Sequence, residues 1–524
     1  MSIETTTITK PAISETPPPP HGVRLLWPVL LAVGMMAMVV LPILATTGLD
    51  NTPINLSKRA GAGLKSADPD LEASPDGEWV AVVWSLGYNN RSDTAELGHI
   101  VLKSANVITG WEMQVRAYTA TSTVWGQQPR MVLPPVAGSG YQAAVTWVEC
   151  QNQDEQCDTI KVAICDLSTY PDTCLAAQTV HSAPGSSLSN PDIAYDDSGD
   201  LHIIWKQGTG DAGLWYQRAG GNPSRVPATT ANSYNPSLIW SSGNGADRLH
   251  LVWYEYHDTP ESRRIKYSAD TNLANDAWDA GSPAQWKARL SYRFTGDIGE
   301  PYIKPTIAAT STHVYIAWDM YKMVNYQDQF HLAYEHSSNN GTTWVDNGGD
   351  GEPIPGPFYN ENTTYRSPLS SIDEESTLRP SIAISGTLPA IAWHFSGYAS
   401  GENAVYLIGY RYSISNPGIS WTDPLTMTQD INYDPADGVD EDDSANPDVA
   451  LWPGGKVHIG YMGLWGGNPY DDNSDWDIYC RGVAITDTST AASAPTAPTP
   501  GGPTPTTDPY DDLHRAPMPL IMKN

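Results

Sequence analysis

From residue 68 onward the chain alternates polar and apolar positions in short runs with a period near two, the spacing of half-buried strands. The first run of each unit opens on a polar residue followed by Pro: "DPDLEA" at Asp68, "QPRMVL" at Gln128, "NPDIAY" at Asn190, "NPSLIW" at Asn235, "KPTIAA" at Lys304, "RPSIAI" at Arg379 and "NPDVAL" at Asn446. A turn containing Gly, Asn or Ser follows. A second run then ends on an aromatic residue: Trp84, Trp147, Trp205, Trp253, Trp318, Trp393 and Tyr461. A third run comes after a variable loop, as in "HIVLKS", "GLWYQR" and "VYLIGYRYS", and a weaker fourth leads to the next Pro. This is one unit repeated seven times, with no helical period anywhere in it.

Four short antiparallel strands per unit predict an all-β fold, a seven-bladed β-propeller over residues 53–485, with each terminal aromatic plugging the space between neighbouring units. The last unit lacks sheet-like sequence beyond about residue 486, whereas "PINLSKRAG" (53–61) resembles the outer strand that precedes every other unit. It is expected to complete the last blade and remove two exposed edges.

The flanks differ from this body. Residues 25–47 hold no charged residue over a length that spans a hydrocarbon core of about 30 Å, with Arg24 on the N-terminal side. The reading is a single transmembrane signal-anchor helix, with residues 1–24 cytoplasmic and the rest outside the cell; the alternative is a long cleaved signal sequence, although no good cleavage site follows Ala45. Residues 486–524 begin with a Pro/Thr/Ser-rich stretch that cannot pack a core and reads as a disordered spacer and tail.

Composition narrows the function. A formal charge of -30 excludes a nucleic-acid backbone as partner, since too few Lys and Arg are present to displace its counterions. Against only 4 Phe stand 19 Trp and 27 Tyr, rings with polar tips that suit wet surfaces and sugar faces. Cys150 and Cys157, and Cys165 and Cys174, bracket turns where a disulfide would staple a hairpin in an oxidising compartment; Cys480 is left over.

Residues 337–344, "SSNNGTTW", match S-x-[DN]-x-G-x-[ST]-W through Ser337, Asn339, Gly341, Thr343 and Trp344. A degenerate copy, "ISNPGISW", lies at 414–421, and a fainter one, "SANVITGW", at 104–111. The motif resembles the Asp-box of the sialidase-like propellers, with Asn339 where Asp is usual. The resemblance implies a structural turn on the face opposite the substrate site: a short polar side chain bonds the loop's N–H groups, Gly takes a positive φ and Trp packs back between sheets.

The opposite face is therefore the place for a site. The loops entering the first strands are expected to present Asn190, Asn235, Lys304, Arg379 and Asn446, with Asp68 and Gln128, around a channel mouth; the alternative is that a polar residue before Pro only caps a turn. The loops after the plug aromatics add Lys206, Tyr254, Glu255, Asp319 and His394. Glu255 and Asp319 are the carboxylate pair that glycoside cleavage would need. A sialidase would further need three arginines, a Tyr–Glu pair and an F/Y-R-I-P segment; that segment is absent, and only Arg379, with Arg293 and Arg366 in preceding loops, offers guanidinium. The expectation is thus a binding module for glycans or cell-surface proteins, acting as a monomer, with a glycoside hydrolase and an envelope scaffold as alternatives. No cofactor is implied beyond Ca2+, for which the loop "DPADGVDEDD" spaces Asp434, Asp437, Asp440 and Asp442; a solvated acidic loop is the other reading of that run.

Overall fold

The computed structural model describes residues 54–57 and the strands and turns between residues 66 and 484 named below. The expected anchor (25–47), the segment before it, the tail (486–524), the acidic loop with Asp434, Asp437, Asp440 and Asp442, Arg293, Arg366 and the degenerate motif at 414–421 lie outside the described residues. Among those described, no helix is long and apolar enough to cross a membrane.

The fold is all-β. The described strands form seven antiparallel sheets, following the seven sequence units in order. The third is representative: Leu188–Tyr195, Leu201–Gln207, Gly213–Arg218 and Ser224–Arg225 are hydrogen-bonded in chain order. The number of strands departs from a uniform four. The first two sheets carry a fifth strand, Val115–Tyr118 and Gln178–Ser182, each pairing with the third strand of its sheet, and the fifth sheet has three described strands.

Packing between sheets explains the aromatic that ends each second run. Trp147 lies in one apolar cluster with Val83 and Ile100 of the first sheet, Trp205 with Val148 and Ile160 of the second, and Trp253 with Ile204 and Leu214 of the third. The pattern continues with Trp318 against Val252 and Ile265, Trp393 against Tyr315 and Ala317, and Tyr461 against Ile408 and Tyr410. Trp84 of the first sheet then packs with Met462 and Ile478 of the seventh. Each plug fills the seam with the preceding sheet, and the order of packing is cyclic. Second strands are accordingly buried on both faces, as in Trp79–Leu86 and Leu201–Gln207, instead of alternating.

The two ends of the body meet in the seventh sheet. Ile54–Asn55 pairs antiparallel with Asp475–Ala484, setting Ile54 opposite Cys480. Leu56 N donates to Ile478 O at 2.7 Å, and Ile478 N donates to Ser57 Oγ at 2.9 Å. Both expected disulfides are present, Cys150–Cys157 and Cys165–Cys174, each joining cross-strand partners of the second sheet. Cys480 is a free, buried thiol that burial pushes up to about 12.

The Ser337–Trp344 stretch is a turn closed by its own side chains. Ser337 Oγ accepts from Gly341 N at 2.9 Å, Asn339 Oδ1 accepts from Thr343 N at 2.7 Å, and Asn339 Nδ2 donates to Thr343 Oγ1 at 2.6 Å. Gly341 takes φ +75° with Tyr267 directly against it, so a side chain there would be both strained and obstructed. The Trp344 ring meets Tyr267 of the fourth sheet edge-on, with centroids 4.8 Å apart. The turn sits at the end of its sheet away from Lys304, because Ser337 pairs with Val314 while the first strand starts just after Lys304.

Candidate functional site

Six of the seven residues before the repeated prolines lie inside the first strands and not in entry loops, whereas Lys304 stands just before its strand. Asp68, Gln128, Asn190, Asn235, Arg379 and Asn446 all take φ between 48° and 52°. In those six units the pairing register slips at the same step, for example between Ser189 and Asp192 and between Ala445 and Asp448. Each X–Pro is therefore a β-bulge. The first strand is the edge strand of its sheet, where Pro is tolerated because no ladder hydrogen bond is lost, and Asn and Asp are the non-glycine residues that best bear a positive φ.

The bulge swings the side chain two places after X across to the next sheet, where it caps an edge N–H. Asp448 Oδ2 accepts from Leu71 N at 2.6 Å, Asp70 Oδ2 from Met131 N at 2.5 Å, Asp192 Oδ2 from Leu238 N at 2.6 Å and Ser381 Oγ from Val449 N at 3.2 Å. Ser381 Oγ in turn donates to Asp448. Among the described residues a belt of side chains thus stitches four pairs of neighbouring first strands together, the seventh to the first included. These residues were missed as candidates, although the recurrent Asp in "DPD" and "NPD" was the available signal.

The belt is electrically crowded. Burial, then the Asp448 charge, push the Asp70 carboxyl well above the ordinary range, with Arg130, 3.8 Å away, opposing them. Asp192 rises for the same first reason, against Arg130. Lys304 is exposed, yet the surrounding protein and then Arg130 lower its ammonium, while Asp448, Asp68 and Asp70 pull the other way.

Above the belt, the X residues reach their neighbours. Gln128 Oε1 accepts from Asn190 N at 2.7 Å. Arg379 donates to Asn446 Oδ1, and Asn446 N donates to His394 Nδ1 at 3.4 Å. Burial first, and Arg379 second, lower His394 to about 3, so it is a neutral acceptor. Lys206 places its ammonium over the Tyr234 ring, next along the strand pair from Asn190. Tyr254, by contrast, is buried at 1% exposure in the seam between the fourth and fifth sheets. Asn235 keeps the bulge conformation of its unit.

Glu255 is 3% exposed and forms an ion pair with Lys266 at 2.6 Å across the second and third strands of its own sheet. Asp319 stands opposite Leu332 in the fifth sheet; its side chain lies outside those described. Among the described residues, no group of three or more His, Cys, Asp or Glu could hold a metal ion.

No protein-family model and no curated protein matches this chain. Similar solved structures include an ulvan lyase, a polysaccharide lyase, at 11% identity over 82% of this chain and 96% of that one, TM-score 0.44. An α-L-arabinanase of Penicillium chrysogenum, complexed with arabinobiose, aligns at 10% identity over 82% and 97%, TM-score 0.40. The endosialidase of phage phi92 aligns at 10% identity over 85% and 71%, TM-score 0.36.

Proposed function

We propose that residues 53–485 form a seven-bladed β-propeller of the sialidase-like kind, one sheet per blade. On this reading it is held outside the cell by a span at residues 25–47 and binds glycans, free or on surface proteins, at the face that carries the X–Pro bulges. The cyclic order of the seven apolar seams supports the ring. The observation that carries binding over cleavage is the engagement of Glu255: a buried carboxylate tied to Lys266 cannot attack an anomeric carbon without breaking that pair. Lys206 is buried with its ammonium over the Tyr234 ring, beside the partly exposed Asn190 and Gln128, and this group of a cation, a ring and amides is of the kind that suits polyhydroxylated ligands.

The full chain is to be tested on a glycan array and, in parallel, on labelled glycosides. The expected result is glycan capture without sugar release, with capture weakened about tenfold by Lys206→Ala, the scale of one lost cation contact. Sugar release by the wild type that disappears in Glu255→Gln would establish the hydrolase instead. Neither capture nor release would favour the scaffold.

A further inference from the structure

Away from the channel, the outer edges of the first and second sheets meet at two carboxylates. Asp172, just before Thr173–Cys174, is 3% exposed, and Ser104 Oγ donates to its Oδ2 at 2.8 Å. Its other oxygen, Oδ1, is buried without an N–H or O–H donor, and so is Oε2 of Glu112, which follows the strand Gly110–Trp111. Glu112 N donates to Ser104 O at 2.8 Å, so both acidic residues are gathered on Ser104. Two carboxylates are acceptors only, so each bare oxygen can be satisfied only by a proton. Among the described residues nothing else on the packed elements supplies one. Lys103 turns to the Leu56 carbonyl, Lys161 to Glu149 and Thr179, His99 Nδ1 accepts from Ala120 N, and Arg116 is exposed. Asp166 adds a further negative charge.

We propose that Asp172 and Glu112 share one proton and act as a latch between the outer edges of the first and second sheets, closed in acid and released as the pH rises. The proton resides on Asp172, donating to the Glu112 carboxylate, while Ser104 holds the other Asp172 oxygen. Burial, first, raises Asp172 from 3.8 to about 7, with Glu112 and Asp166 adding to the rise and Ser104 opposing it. A folded-state value above the unfolded one means the latch stabilises fully below the ordinary carboxylate range and is lost as the pH climbs through about 7. Release leaves a buried negative charge on Asp172 beside that of the half-buried Glu112, next to the Cys165–Cys174 hairpin.

The test is hydrogen exchange of the full chain at about pH 5 and pH 8, corrected for the intrinsic rate. It is read at Glu112 N, bonded to Ser104 O, and Leu175 N, bonded to Ile164 O. Protection at both amides is expected to fall at least about tenfold at the higher pH in the wild type. Asp172→Asn keeps a permanent donor to Glu112 and should hold protection at its acid level throughout; Glu112→Gln, which also removes the shared charge, should do the same. Equal wild-type protection at both pH values, or a fall that persists in both variants, overturns the latch. Protection at the higher pH that appears with added Ca2+ and vanishes with chelator would also overturn it, by putting a cation where the proton is assigned.

Discussion

The seams between sheets and the belt along their first strands join the same neighbours by opposite means. A seam is a Trp or Tyr sunk among aliphatic side chains; the belt is a row of carboxylates and hydroxyls that cap backbone N–H groups one sheet away. Burial alone drives the first and is indifferent to pH, whereas the second owes its strength to directional bonds among charges that crowd one another. The two therefore divide the work: seams supply most of the adhesion, and the belt fixes how far each edge strand is offset from the next. An edge whose N–H groups are already satisfied is also closed to a foreign strand.

Trp147→Ala breaks the comparison hardest. The ring is fully buried, so its loss should cost about 3–5 kcal/mol in chemical denaturation. Trp147→Phe sharpens the point, because the indole N–H has no hydrogen-bond partner and its removal should offset part of the lost area, leaving a cost below about 2 kcal/mol. Asp448→Ala comes next: Leu71 N and the Ser381 hydroxyl both lose their partner, and a cost of about 2–3 kcal/mol is expected. The smallest effect belongs to Asp70→Asn, measured as the melting temperature from about pH 5 to pH 9. The Asp70 carboxyl stands above its unfolded value, so its contribution is present in acid and lost as pH rises through the folded value. The variant keeps an acceptor for Met131 N and should flatten that decline, while Trp147→Phe should leave it untouched.

Much of the architecture could be read directly from the chain, since a repeated X–Pro, a plug aromatic and a spare N-terminal strand are local signals. The bulges could not. A residue before Pro ordinarily avoids positive φ, and local preference placed Asp68 and its equivalents in loops; the hydrogen bonds that repay the strain are made with another unit more than forty residues away, as where Leu238 N donates to Asp192. The ion pair of Glu255 was hidden for a related reason: it depends on the third-strand register that brings Lys266 alongside. The Ser337–Trp344 turn was legible because the side-chain bonds of Ser337 and Asn339 that close it lie within eight residues.

The antiparallel pairing of Ile54 with Cys480 has a mechanical corollary. Ile54 begins its strand toward the same end of the seventh sheet at which Asp475–Ala484 finishes. Pulling these two ends away from each other peels their hydrogen bonds apart one by one, whereas pulling Ile54 along its strand against a load borne elsewhere on the body must shear them at once. The same few bonds thus yield to the first kind of pull and resist the second.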